Sequence, residues 1–191
     1  MENRVFFDKT FEHTTFQKID LLDSEFEQCQ FINCSFPDRD LSNVRFIECS
    51  FDQIDLSNSR LFKTSIQDCL FDTCKLMGLS FDQCEMFGFN FKAQNGIFDH
   101  SSFYKVRLPG FQAQNCSFKN VDFTEAILKE AYFKGSDFTN AIFERTELEK
   151  ADLLNTSNLR IDPEVNLIKQ AKLDLEALPG LLTKFSLNIK Q

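Results

Sequence analysis

The stretch FEQCQFINCSF, residues 26–36, places Phe at 26, 31 and 36 and Cys at 29 and 34. Both residue types keep a period of five, which is neither the 2.0 of a strand nor the 3.6 of a helix. Followed outward, the same clock runs from Phe6 to Phe91, where eighteen successive positions at spacing five are Phe, Leu, Ile or Met. At 42% apolar content such a run arises by chance about once in several million trials. The clock slips by two residues and resumes at Phe98. It then passes through Phe103, Leu108, Phe118, Phe123, Leu128, Phe133, Phe138, Phe143, Leu148 and Leu153, with a lapse at Ala113.

With the large residue as position i, position i−2 holds small or medium side chains, among them Ser24, Val44, Thr64, Ala126 and Ser136. All seven cysteines (29, 34, 49, 69, 74, 84 and 116) fall at i−2. Residues two apart on an extended segment share a face, so i and i−2 point inward together and i−1, i+1 and i+2 point outward. Four five-residue units make a twenty-residue coil with a short extended side and a corner per unit. Phe11, Phe31, Phe51, Phe71 and Phe91, identical at spacing twenty, form one internal column of such a coil. Phe98, Phe118 and Phe138 form another. The two extra residues are expected between 92 and 97. The cysteines read as small buried hydrophobes. They lack Cys-x-x-Cys spacing for a metal and are odd in number, which disfavours a disulfide set.

The pattern resembles the pentapeptide-repeat proteins, whose motif is a small residue, Asp or Asn, Leu or Phe, then two polar residues. Its purest copies here are AILKE, AYFKG, SDFTN, AIFER and ADLLN, between residues 126 and 155. The resemblance covers residues 4–158 and implies an all-β fold, a right-handed quadrilateral parallel β-helix. The expected organisation is a β-helix over 1–160 and a small C-terminal helical cap and dimerisation module over 161–191. In that module Asp162-Pro163 reads as a helix start, with Val165, Leu167, Ile168 and Ala171 on one face. KLDLEAL (172–178) alternates like a strand, Pro179 to Phe185 reads as a short helix, and SLNI (186–189) as a last strand. Cap and dimer contacts are assigned to Val165, Leu167, Ile168, Leu178, Leu181, Leu182 and Phe185, because an open solenoid end needs covering.

The 191-residue chain carries a formal net charge of −8, all of it in residues 1–100, which hold 17 acidic and 9 basic residues. Such a balance argues against direct nucleic-acid binding, which needs Lys and Arg for phosphates, and suits a partner with a basic groove. Asp8, Glu12, Glu27, Glu48, Asp52, Asp68 and Asp72 fall on outward positions repeating at multiples of the coil length. They are expected to line one acidic edge of the rod. Two related stretches, FKAQNGIF (91–98) and FQAQNCSF (111–118), disturb the clock, and their surroundings supply Phe87, Gln94, Asn95, Pro109 and Gly110 as further contact candidates.

No Gly-rich phosphate loop, HExxH or GxSxG occurs, and His13 and His100 fall at outward corners, so neither an enzyme, a cofactor nor a metal site is expected. No apolar run is long enough to span a membrane. The start lacks a signal-peptide core, so the expected location is the cytoplasm.

The stretches SSFYKVRL, VDFTEA and AKLDLEALPGLL look most like the albicidin- and microcin-immunity branch of the family. This resemblance implies a non-catalytic DNA mimic that binds DNA gyrase or topoisomerase IV, protects it from a poison, and forms a homodimer through its C-terminal module. The quinolone-resistance members carry two sizeable loops, and this sequence has no insertion long enough to match them. The alternative is an adaptor solenoid that uses outward Ile32, Ile47, Phe62, Met77, Phe87 and Tyr104.

Overall fold

The computed structural model describes residues 4–17, 21, 23–36 and 40–187. They form a right-handed quadrilateral parallel β-helix with one short C-terminal helix. One side of the square is a four-stranded parallel sheet of β1 (Arg4–Phe7), β3 (Ser24–Glu27), β5 (Arg45–Ile47) and β7 (Ser65–Gln67). The next side is a six-stranded sheet of β2 (Thr10–Glu12), β4 (Gln30–Ile32), β6 (Ser50–Asp52), β8 (Cys69–Asp72), β9 (Phe91–Gln94) and β10 (Gln112–Gln114). Single parallel bridges make the other two sides, as in Lys75↔Ile97↔Ser117↔Asp137↔Ser157 and Ser80↔Ser102↔Asp122↔Ile142.

One ladder runs the length of the rod: Thr10, Gln30, Ser50, Leu70, Lys92, Gln112, Tyr132, Asp152 and Lys172 pair in succession. Eight steps at the strand spacing give a rod about 38 Å long. Most backbone bonds run between coils, and bonds three residues apart, such as Val44 N–H to Leu41 O at 3.1 Å, close many corners within a coil. At most corners an i+2 residue adopts positive φ, as at Gln28 (53°), Glu48 (52°) and Asn95 (55°). Its N–H then donates to the following coil: Gln28 to the Ile47 carbonyl at 2.9 Å and Glu48 to that of Gln67 at 2.8 Å. Asn is frequent at these corners because its short polar side chain tolerates the left-handed conformation better than most.

Inside, the i residues stack rung on rung. Phe31, Phe51 and Phe71 are fully buried, with ring centroids 4.8 and 4.6 Å apart and planes within 10°. Phe103, Phe123 and Phe143 repeat this at 5.2 and 5.1 Å. The seven cysteines are buried free thiols at i−2, and six donate to main-chain carbonyls, as Cys49 Sγ does to Phe26 O at 3.3 Å. Each buried Phe contributes on the order of 2–3 kcal/mol, and the columns supply it without any long helix or strand.

Four expectations are corrected. First, the two extra residues lie at 86–90 and not at 92–97. Glu85 still donates to Thr64 O in the ordinary register, and by Phe91 the offset has risen from 20 to 22, with Cys69↔Phe91 and Phe71↔Ala93 paired. Phe91 therefore fills an i−2 slot and Ala93 an i slot. Phe111 and Ala113 repeat this exchange one coil later, because a large residue at i−2 leaves room only for Ala at i. Second, Met86, on the clock, turns outward and is 40% exposed, while Phe89 takes the interior. Third, Pro109-Gly110 is an ordinary corner. Gly110, φ 72°, donates to Lys129 O, and the ladder passes through 109–116 unbroken.

Fourth, residues 162–172 form another stretch of coil and not a helix. Glu147↔Leu167 and Asp152↔Lys172 continue the ladders beyond residue 160. Asn166 enters the i−2 slot: its Oδ1 accepts from Thr146 N–H at 2.9 Å and its Nδ2 donates to Phe143 O at 3.0 Å. KLDLEAL adds only the Lys172 bridge before a 3-10 turn at Leu175–Ala177. A helix α1 (Leu178–Leu181) and a second 3-10 turn (Thr183–Phe185) follow. Of SLNI, residues 188 and 189 lie outside the described residues.

Candidate partner-binding face

The acidic residues gather along both borders of the six-stranded side. One border is a corner column of Asp8, Gln28, Glu48 and Asp68, each with positive φ near 50°. The other is the register column Glu12, Ile32, Asp52, Asp72, Gln94 and Gln114. Glu27, at the end of β3, precedes the first border. Asp8 and Glu12 are four near-extended residues apart, which puts the borders at most about 13 Å from one another. The strip between them has Thr10, Gln30, Ser50 and Leu70 at its centre and one charged residue, the exposed Lys9 of the first coil. The expected single edge is thus a pair of edges flanking one face.

Amides, not cations, hold these carboxylates. Gln28 Nε2 donates to Glu48 Oε2 at 2.8 Å, and Asn90 Nδ2 to Asp68 Oδ1 at 2.8 Å. Asp72 accepts from Gln94 Nε2 (2.7 Å), Asn95 Nδ2 (3.1 Å) and Thr73 Oγ1 (3.0 Å). Slight burial raises its pKa, and these donors outweigh that and hold it below the usual carboxylate value. Gln94 and Asn95 thereby join the acidic set. Asn90 was not legible from the sequence, since its contact exists only because the register has shifted by two. Among the described residues, Asp8, Glu27, Glu48, Asp52, Asp68 and Asp72 form no ion pair, and Glu12 lies 3.7 Å from His13.

Beyond the bulge the surface changes character, with acids and bases paired across coils. Lys105 Nζ lies 3.4 Å from Glu125, which Arg145 meets at 2.9 Å from the next coil. Lys129 meets Glu147 and Glu149, Lys150 meets Glu130, and Lys172 meets Asp152, at 2.8 to 3.1 Å. Unmatched negative charge is therefore concentrated on the first four coils.

Of the remaining candidates, Phe87 projects at 84% exposure, and Pro109 and Gly110 are exposed at their corner. In the C-terminal segment Leu181 and Ile168 pack against the core. Val165, Leu167, Leu178, Leu182 and Phe185 are exposed, with Leu175 beside them at 80%. Lys184 ties the last turn to Asp162 (3.1 Å) and Glu164. Among the described residues no three His, Cys, Asp or Glu side chains are placed to hold a metal, and no helix is long and apolar enough to cross a membrane.

A family model described as pentapeptide repeats matches in eight copies, over residues 40–78 and 116–153. No curated protein sequence matches the chain. Two solved structures of trypsin-treated QnrB1 variants, QnrB1 being a plasmid-mediated fluoroquinolone resistance protein, share the fold. One superposes with a TM-score of 0.62 at 17% identity over 98% of each chain. The other gives 0.61 at 16% identity over the whole of both. The repeat match, the five-residue clock and the square coil with its inward pair agree that this chain belongs to the pentapeptide-repeat family.

Proposed function

We propose that the protein is a non-catalytic, DNA-mimicking partner of a type II topoisomerase, DNA gyrase or topoisomerase IV, and protects it from a poison that traps the cleaved complex. The observation that carries this reading is the two columns of carboxylates that form no ion pair with Lys or Arg among the described residues, Asp8–Glu48–Asp68 and Glu12–Asp52–Asp72, bordering a strip whose one charged residue is Lys9. A basic groove shaped for duplex phosphates fits such a rod, and attraction of this kind weakens with salt. The fold shared with a fluoroquinolone resistance protein supports the same reading.

The cap proposal covers residues 161–191. Leu181, Ala177 and Ile168 cover the end of the core, and the exposed Val165, Leu167, Leu178, Leu182 and Phe185 meet a second copy. The test is gyrase supercoiling and drug-induced cleavage with wild type and with Glu48→Lys, Asp52→Lys, Asp68→Lys, Asp72→Lys combined. Protection by wild type and none by the variant is the expected result. Equal protection by a folded variant removes the acidic borders from the site. The adaptor reading draws on Phe87, 84% exposed. It gains if wild type leaves both reactions unchanged.

A further inference from the structure

The first coil leaves one end of the rod open. Phe6 stacks on Phe26 at 4.8 Å and Phe26 on Phe46 at 5.5 Å, in one inner column. Phe26 and Phe46 are buried, whereas Phe6 and, on the next side, Phe11 are only partly covered. Among the described residues no ring stacks on the far side of Phe6.

The backbone of β1 is open in the same direction. Successive residues of a strand turn their N–H and C=O groups to opposite neighbours. In later coils the two outward positions of this side turn back to the preceding coil. Ser65 N–H donates to Val44 O at 2.9 Å, and Gln67 O accepts from Glu48 N–H at 2.8 Å. Val5 and Phe7 hold those positions in the first coil, in register with Glu25 and Glu27. Their backbone groups therefore point out of the end of the rod, while Asp8 N–H donates into the second coil, to Glu27 O at 3.0 Å. Edge strands are commonly blunted by lysine, proline or a bulge. This edge instead carries apolar side chains, with Val5 59% and Phe7 54% exposed. Further along the rod the same columns hold Glu25, Arg45 and Ser65, and Glu27, Ile47 and Gln67.

We propose that β1 pairs antiparallel with β1 of a second copy, about a two-fold axis at Phe6, and joins two rods end to end. Self-complementarity selects the occupant. In that register Val5 faces Phe7 of the second copy and Phe7 faces its Val5, so the outward-pointing backbone groups of both residues form hydrogen-bonded pairs. Phe6 meets Phe6 at the closely spaced position between them, which extends the inner column into the second rod. Arg4 comes opposite Asp8 at each end of the paired strip, and unlike charges across strands stabilise it. A slip of one residue sets outward-pointing groups against inward-pointing ones, and a slip of two separates both charge pairs. The contact uses Asp8 but none of Glu48, Asp52, Asp68 and Asp72, and it lies at the opposite end from the cap. Its failure leaves the topoisomerase and cap readings intact, and the reverse.

The experiment is sedimentation velocity of the full chain carrying Leu178→Asp and Phe185→Asp, both at exposed positions, so that cap contacts do not contribute. A monomer–dimer equilibrium is expected, with at least half of the chain dimeric at about 200 µM. Val5→Lys combined with Phe7→Lys places the new cations over Glu25 and Glu27, which suits the first coil, but sets like charges opposite one another between copies. It is expected to weaken association more than about tenfold. Arg4→Asp alone and Asp8→Arg alone are each expected to weaken it about fivefold, and the two together to restore it to within about twofold. The proposal is overturned by a chain that stays monomeric at about 200 µM or by lysine variants that associate like the parent. It is equally overturned if the charge swap stays as weak as the single changes.

Discussion

Gly180 sits in the first turns of the cap, where helix propensity and packing disagree about the effect of alanine. On propensity alone Gly180→Ala stabilises α1 by up to about 1 kcal/mol. The structure opposes this. A Cβ at residue 180 falls 1.8 Å from the Leu159 carbonyl oxygen and 2.9 Å from its carbon, and backbone cannot rotate away. A carbon and a carbonyl oxygen settle at about 3.3 Å, so the helix must retreat by roughly 1.5 Å. That retreat breaks the bond from Ile161 N–H to Gly180 O, now 3.2 Å, at about 1 kcal/mol. It also uncovers the apolar contact of Ala177 and Leu181 with the core, about 1–2 kcal/mol more. The net is a loss of about 1–2 kcal/mol, a factor of roughly 5–30 in the opening equilibrium. Hydrogen exchange reads it directly, through acceleration of that size at the Ile161 amide and at residues 177–185. Gly110→Ala is the control for location: at φ 72° alanine is strained although nothing lies within 4 Å of its Cβ, but the site is remote from the cap and is expected to leave exchange at Ile161 unchanged. Exchange at Ile161 that stays unchanged or slows in Gly180→Ala refutes the close-approach account.

Phe51→Ala removes a ring stacked on both sides, at 4.8 and 4.6 Å, and is expected to cost about 3–5 kcal/mol by urea unfolding. A loss below about 1 kcal/mol means that the columns repack. Asn166→Leu keeps the branching and the heavy-atom number but strands Thr146 N–H and Phe143 O. It is expected to cost about 2–4 kcal/mol, where a truly helical segment would tolerate or favour Leu. Burial pushes the Cys74 and Cys116 thiols up to about 12. They should therefore resist a disulfide reagent at pH 8 until the chain unfolds. These thiols stay protonated in the folded state while the unfolded ones ionise near their ordinary pKa, so stability is full below about pH 8.5 and falls from there toward 12. A urea midpoint that rises over that interval contradicts this burial.

The interior was legible because i and i−2 are read by every coil in the same way. A reader counting fives from Phe6 reaches Phe31, Phe51, Phe71 and Cys49 correctly, since each has an identical neighbour one coil away. The count fails at Met86, where the chain swings outward and Phe89 takes over the interior. Counting alone gives no reason to prefer Phe89, because both are large and apolar. The displacement therefore reads a few residues late, at the next irregularity in the count. The Phe91/Ala93 and Phe111/Ala113 exchanges looked like breaks for a related reason: position i was assumed to be large, whereas the slot requires only that the pair fill one volume. Residues 162–172 escape the count because Asn158 and Pro163 fall where the clock needs a large apolar residue. Asp162-Pro163 and the apolar residues after it then matched a helix start better than a coil, although Asn166 fills the slot through hydrogen bonds. The acidic borders were legible as residue numbers but not as two lines. Whether a corner residue stands at one margin of a flat side or the other depends on where the turn falls.

Lys105, Glu125 and Arg145 stand one above another, so the rod carries two periods at once. The main chain repeats after twenty residues, whereas this charge sequence returns to the same sign only after forty. Excising residues 121–140 joins two segments in matching phase and leaves every hydrogen-bonded side able to close, yet it sets Arg145 against Lys105. Removing Arg145's charge at the same time makes the shortened molecule whole again. At this column, growth or loss of length is permitted by the backbone in single coils and by the surface charge in pairs.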